Sequence, residues 1–147
     1  MAEQIIAEVG TDVEKQFPCA AHLCSWAGLT PGHNESAGKR KSTNMKKGNK
    51  YLKSALIEAA HSVKGSKTYL GALYRRTASR KGKKHAGVAV AHAILRISYY
   101  LLTRKEIIGD LGEDNFDKQK EQSIVRYSIR RLENLGYNVT ITEPNAS

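Results

Sequence analysis

The sequence predicts an all-α protein: a compact helical domain of about five to six helices, with a long basic loop and a short C-terminal strand-like tail. Three observations predict this. Tyr51, Leu52, Ala55, Leu56, Ala59, Ala60 and Val63 fall at helical spacing on one face. Residues 85–104 are apolar almost all round, as suits a helix at the centre of a bundle. One segment alone, "YNVTIT", alternates apolar and polar residues, and no second strand is readable to pair with it.

The elements follow in order. Residues 2–9 read as the last turns of a helix with Ile5 and Ile6 apolar and Gly10 as its stop; the helix has no evident beginning. Pro18, near the first helical position, opens a second helix that buries Leu23, Trp26 and Ala27 and ends at Gly28. Residues 28–47 form a polar loop of a length that is usually functional or disordered. The third helix follows Gly48 and breaks at "KGSK". The fourth carries Tyr69, Leu70, Leu73 and Tyr74 inside and ends in the basic run "RRTASRKGKK". In the fifth, about 85–104, Arg96 either meets a carboxylate or snorkels to the surface. An acidic link over 106–116 leads to a sixth helix, about 117–135, with Val125, Ile129, Leu132 and Leu135 on one face and Gly136 as cap.

Charge narrows the function. The chain has 147 residues, 40% of them hydrophobic and 26% charged, which is globular, and a net charge of +10. Residues 38–84 hold fifteen bases and one acid, Glu58, whereas residues 85–147 hold eight of each. An excess concentrated in one third of the chain is the footprint of a polyanion partner, bound by phosphate neutralisation and counterion release. Cys19 and Cys24 have no second pair to complete a tetrahedral metal site, and the five histidines are scattered. No basic leader with a long apolar run opens the chain, and the apolar stretch near 86–102 is interrupted by His92, Arg96 and Ser98, so a buried helix is expected rather than a membrane span.

Chemistry concentrates in "TPGHNESAGKRKSTNMKKGNK". A phosphate-cradling Walker loop fails there: five residues separate Gly32 from Gly38, Arg40 follows Lys39 in place of Ser or Thr, and no apolar strand leads in. A serine acting on a phosphodiester must be exposed, lose its proton and have the phosphoryl charge neutralised. Ser36 precedes Ala37-Gly38, where backbone can approach a substrate, and Lys39, Arg40 and Lys41 follow at once. His33 and Glu35 are candidate bases. Ser42 and Thr43 are equally exposed on composition, so the residues alone leave the hydroxyls interchangeable.

The words "SWAGLTPG", "NESAGKRK" and "KGNKYLKSALIEAA", followed by "YLGALYRR", "HAGVAVAHAILRISYYLL" and "RRLENLGYNVTI", strongly resemble the C-terminal domain of the insertion sequence one-ten transposases. The resemblance spans nearly the whole chain. It implies a serine transposase domain over 1–105, with its active-site loop at 28–50, and a C-terminal helix and extended tail over 106–147. It implies DNA transposition, with Ser36 as the nucleophile that forms a transient phosphoserine link. Lys39, Arg40, Lys41, Lys46, Lys47, Lys50, Arg75 and Arg76 would meet nucleic acid, with Gly32 and Gly38 giving the loop its flexibility. DNA, a structured guide RNA and further copies of the chain are the implied partners, with no membrane, at the nucleoid in the cytoplasm. The family's RNase-H-like carboxylate domain, which holds Mg²⁺, is not readable in this sequence. The chain is therefore expected to bind no metal itself and to resemble a transposase fragment: either the serine half awaiting its carboxylates, or a truncated, inactive nucleic-acid-binding remnant. The headless first helix and unpaired last strand agree with that expectation.

Overall fold

The computed structural model describes residues 2–31, 34–36, 39–42, 44, 45, 47–105 and 109–142, with 34–36 and 39–42 described by backbone alone. The chain divides into two compact units, Met1–Glu113 and Asp114–Ser147. Among the described residues there are eight α-helices, six of them at least seven residues long, and one two-stranded ribbon.

In the first unit, α1 (Ala2–Val9) buries Ile5 and Val9 and stops at Gly10, whose φ of 75° lets its amide close on Ile6 O at 2.8 Å. Ile6 faces outward. A single turn, α2 (Val13–Gln16), was not legible in the sequence; Val13 and Phe17 anchor it in the core. Then α3 (Ala20–Trp26) begins two residues later than Pro18 suggests. Cys19 is its N-cap in extended conformation, and its carbonyl accepts from the amides of His22 and Leu23, so Pro18 lies outside the helix. Leu23, Cys24 and Ala27 are buried, while Trp26 is half out and packs its ring 5.3 Å from that of Phe17. The helix ends in a Schellman motif: Gly28 N donates to Ser25 O and Leu29 N to Cys24 O, each at 3.0 Å, with Gly28 at φ 70°.

Beyond the loop, α4 (Lys50–Ser62) starts on an Asn49 cap and buries Leu52, Leu56 and Ala60, leaving Tyr51 exposed. A short 3₁₀ turn over Val63–Gly65 leads to α5 (Tyr69–Lys81), capped by Thr68 Oγ1 on Gly71 N at 3.3 Å. Only Gly82 separates α5 from α6 (Lys83–Arg104), and the two pack along one another as a helical hairpin. As its all-round apolarity implies, α6 is central: it buries Ala86, Gly87, Val90, Ala91, Leu95 and Tyr99 among α2, α3, α4 and α5. Among the described residues it is also the one helix long and apolar enough to cross a membrane by length and composition. Arg96 is at the surface rather than in the core. The Leu23, Leu52, Leu56 and Leu95 side chains are fully buried, and each contributes about 1.5–3 kcal/mol relative to exposure. Tyr99 ties α6 back to the chain start by donating its hydroxyl to Phe17 O at 3.1 Å.

The acidic link docks on α5. Asp110 accepts from the Tyr69 amide at 3.1 Å, at the positive end of that helix, and Glu113 pairs with Arg75.

In the second unit, the single helix expected from residue 117 is two, α7 (Asn115–Lys118) and α8 (Glu121–Asn134). The intervening "DKQKEQ" has no apolar residue to hold a continuous turn against anything. Gly136 does cap α8, with Gly136 N on Glu133 O and Tyr137 N on Leu132 O. Residues 137–142 form no strand, contrary to their alternation. A lone period-two segment has no neighbour to take its backbone hydrogen bonds.

Candidate nucleic-acid interface

The ribbon lies where the sequence showed only a polar loop. Two antiparallel strands, β1 (Asn34–Ser36) and β2 (Lys39–Ser42), pair in the register Asn34 with Ser42, Glu35 with Arg40, and Ser36 with Lys39. One step on β1 spans two on β2, so Lys41 is the extra residue of a bulge, a device that bends and twists a strand. An isolated antiparallel bridge, Pro31 with Met45, continues the pairing toward the base. The described stretches 34–36 and 39–42 thus form an antiparallel excursion based on the Pro31–Met45 bridge.

Its two ends are fixed together. The outgoing limb leaves from the Schellman turn at Gly28. The returning limb donates from Asn49 N to Trp26 O at 3.2 Å. Gly48 passes so near the Ala27–Gly28 peptide that a Cβ there would lie 2.6 Å from Gly28 Cα. Asn49 then caps α4, accepting from Leu52 N at 3.0 Å, and its side-chain amide donates to the Glu8 carboxylate of α1. At the base of the excursion the buried Thr30 Oγ1 has no hydrogen-bond partner among the described residues.

These elements bring some of the expected residues together and separate others. Ser36 closes β1 across from Lys39, the first residue of β2; Glu35 stands across from Arg40; Lys41 is the bulge. Lys47 and Lys50 are exposed on the returning limb and the first turn of α4. Gly32, His33, Gly38, Thr43 and Lys46 lie outside the described residues. Arg75 and Arg76 are on α5 and do not belong to the ribbon. The Arg75 guanidinium is engaged within the fold, donating to Lys64 O at 3.1 Å, to Ser66 O at 2.9 Å and to Glu113. It closes the 3₁₀ turn onto α5 and holds the acidic link. Arg76, half-buried one residue on, also has interactions of its own.

A second basic group was missed as a site. Arg80 and Lys81 end α5, and Lys83 and Lys84 begin α6. The available signal was the complete lack of Asp and Glu between Glu58 and Glu106.

Among the described residues no three His, Cys, Asp or Glu side chains group closely enough to hold a metal ion.

The Transposase IS116/IS110/IS902 family matches residues 1–76, from α1 through the ribbon and α4 into the first half of α5. No curated protein and no solved structure matches the chain. The matched portion includes the anchored excursion with Ser36 and most of the bases next to it, and it covers more than half of the 147 residues. The chain is a member of the IS116/IS110/IS902 transposase family, and its role is accordingly in DNA transposition.

Proposed function

We propose that this chain is the serine-bearing part of a DNA transposase, binding DNA through residues 28–50 and supplying Ser36 as the nucleophile. The observation that supports this reading is the ribbon register, with Ser36 across from Lys39 and Glu35 across from Arg40 on a segment anchored at both ends. Anchoring limits the conformations the segment must lose when a phosphodiester is bound, which is how positioning lowers a barrier.

In the proposed step the Ser36 hydroxyl oxygen bonds to phosphorus and one bond from phosphorus to a deoxyribose oxygen breaks. The serine proton passes to a base, and the departing deoxyribose oxygen takes up a proton. Lys39, Arg40 and Lys41 neutralise the charge that builds on the phosphoryl oxygens. The reverse attack, by a deoxyribose hydroxyl of another strand on the phosphoserine, joins the new strands as that hydroxyl gives up its proton, the phosphorus–serine oxygen bond breaks and Ser36 regains its proton. Metal-bearing carboxylates would come from a separate RNase-H-like domain, and no step assigned to this chain passes through the ion. A structured guide RNA selecting the DNA, a homo-oligomer that pairs two DNA ends, and action at the nucleoid in the cytoplasm complete the proposal.

The test is trapping of a covalent adduct on nicked duplex DNA, in the presence of a complementing carboxylate domain. Ser36→Ala should abolish the denaturant-resistant protein–DNA band, while Ser42→Ala leaves it. An unchanged yield in Ser36→Ala overturns the assignment of the nucleophile. Salt-sensitive DNA binding with no adduct from the wild-type chain favours the inactive, nucleic-acid-binding remnant instead.

A further inference from the structure

The acid-free stretch between Glu58 and Glu106 folds into the α5–α6 hairpin, and its apex gathers charge that the ribbon does not use. Arg80 and Lys81 occupy the last turn of α5; Lys83 and Lys84 occupy the first turn of α6. All four are exposed, and among the described residues none of them forms an ion pair. Gly82 joins the helices alone. Its φ of 87° is a conformation that favours glycine, and it compresses the turn so that both pairs of cations are near neighbours. A Cβ at Gly82 would meet nothing within 4 Å, so the apex faces open space.

Two features of this apex oppose the fold's own stability. Four like charges repel across one turn. In addition, α6 starts with no side-chain cap and no acid in its first turn, so Lys83 and Lys84 stand at the positive end of a 22-residue helix. An external polyanion relieves both.

The apex is also set apart from the ribbon. The His61 ring, near the end of α4, lies 3.2 Å from where a Gly87 Cβ would be, one turn into α6. The ribbon returns at Asn49, at the start of α4. The foot of the ribbon and the hairpin apex therefore lie toward opposite ends of α4, a helix of 13 residues and roughly 20 Å at 1.5 Å per residue. A fixed spacing between two cationic surfaces suits a stiff duplex better than a flexible single strand.

We infer that the α5–α6 apex is a second DNA-contacting surface, separate from the ribbon, on which Arg80, Lys81, Lys83 and Lys84 hold the sugar–phosphate backbone of duplex DNA. The inference rests on the DNA-binding reading above.

It is tested by fluorescence anisotropy on a labelled duplex of about three helical turns, titrated across salt from about 50 to 200 mM. The full chain is compared with Lys83→Gln/Lys84→Gln, Arg80→Gln/Lys81→Gln, Lys83→Arg/Lys84→Arg and the ribbon variant Lys39→Gln/Arg40→Gln/Lys41→Gln. Each Gln pair at the apex should make the slope of log affinity against log salt shallower by about 1.8, at ~0.9 per phosphate contact, and the Arg pair should keep it. Melting temperature should not fall in Lys83→Gln/Lys84→Gln, since both side chains are exposed and their charges oppose the start of α6. Wild-type slopes in both Gln pairs, with a shallower slope in the ribbon variant, overturn the apex and leave the DNA reading standing. A flat salt response in the wild-type chain removes the DNA reading and the apex with it. Slope changes seen on a structured RNA and not on the duplex overturn the assignment to DNA.

Discussion

Gly48 and Gly28 lie backbone against backbone: a Cβ on Gly48 would meet Gly28 Cα at 2.6 Å, and Gly28 itself holds φ at 70°. This crossing closes the ribbon-bearing excursion at its base. Gly48→Ala should force the limbs apart, costing about 1–3 kcal/mol as overpacking typically does, and should weaken DNA binding along with stability. Gly28→Ala should cost about 1–2 kcal/mol through its left-handed backbone. Urea unfolding reads both. A Gly48→Ala protein with wild-type stability would show that the limbs do not cross this closely.

Asn49 has two tasks at the return of the same excursion, capping α4 through Leu52 N and donating to Glu8. Asn49→Ala should lose about 1 kcal/mol, the usual worth of such a cap. Asn49→Asp keeps an acceptor for Leu52 N but sets a carboxylate against Glu8. It should recover stability fully only when Glu8 is also changed to Gln. Equal stability of Asn49→Asp with and without Glu8→Gln contradicts the α1–α4 contact.

The two cysteines should differ sharply in reactivity. Cys24 is fully buried, and burial pushes its thiol up to about 11. Cys19 is exposed, and the backbone amide of His22, together with its ring nitrogen 3.1 Å from the sulfur, holds that thiol below its ordinary range. Alkylation near neutral pH should modify Cys19 rapidly and reach Cys24 only on unfolding, as counted by intact mass. His22→Ala should slow the reaction at Cys19. Rapid double labelling of the folded protein contradicts the burial of Cys24.

His92 gives a pH dependence with a definite sign. Burial, aided by the nearby Arg96 charge, lowers its pKa from the ordinary 6.5. The unfolded chain therefore takes up a proton at higher pH than the folded one. Stability from this group is complete above pH 6.5 and is lost as pH falls through the lower, folded value. Melting temperature should decline on that acid side, and His92→Asn should flatten the decline. An identical pH profile in the variant would place the effect elsewhere.

Helix positions were legible wherever a local rule applied. The apolar period of α4, the all-round apolarity of α6, and the glycine stops at Gly10, Gly28 and Gly136 each act over one or two turns. Pro18 misled because a proline outside a helix and one at its first position look alike in sequence; the Cys19 carbonyl, accepting from His22 and Leu23, decides between them. The alternation of 137–142 misled because a strand needs a partner, and no local pattern supplies one.

By itself the sequence determined the helical class, the concentration of charge in 38–84 and the family likeness carried by its motifs, because composition, period and motif order are properties of the chain read in one dimension. Only the tertiary structure decided the rest. It pairs Ser36 with Lys39 across a bulged ribbon that has no apolar period to announce it. It brings Gly48 onto Gly28 across twenty residues of chain. It draws Arg75 into the Lys64–Ser66 turn and Glu113, and it leaves Arg80, Lys81, Lys83 and Lys84 exposed together. Each depends on which groups meet in space, and residues far apart in sequence find their partners only when α6 has gathered the other helices around it.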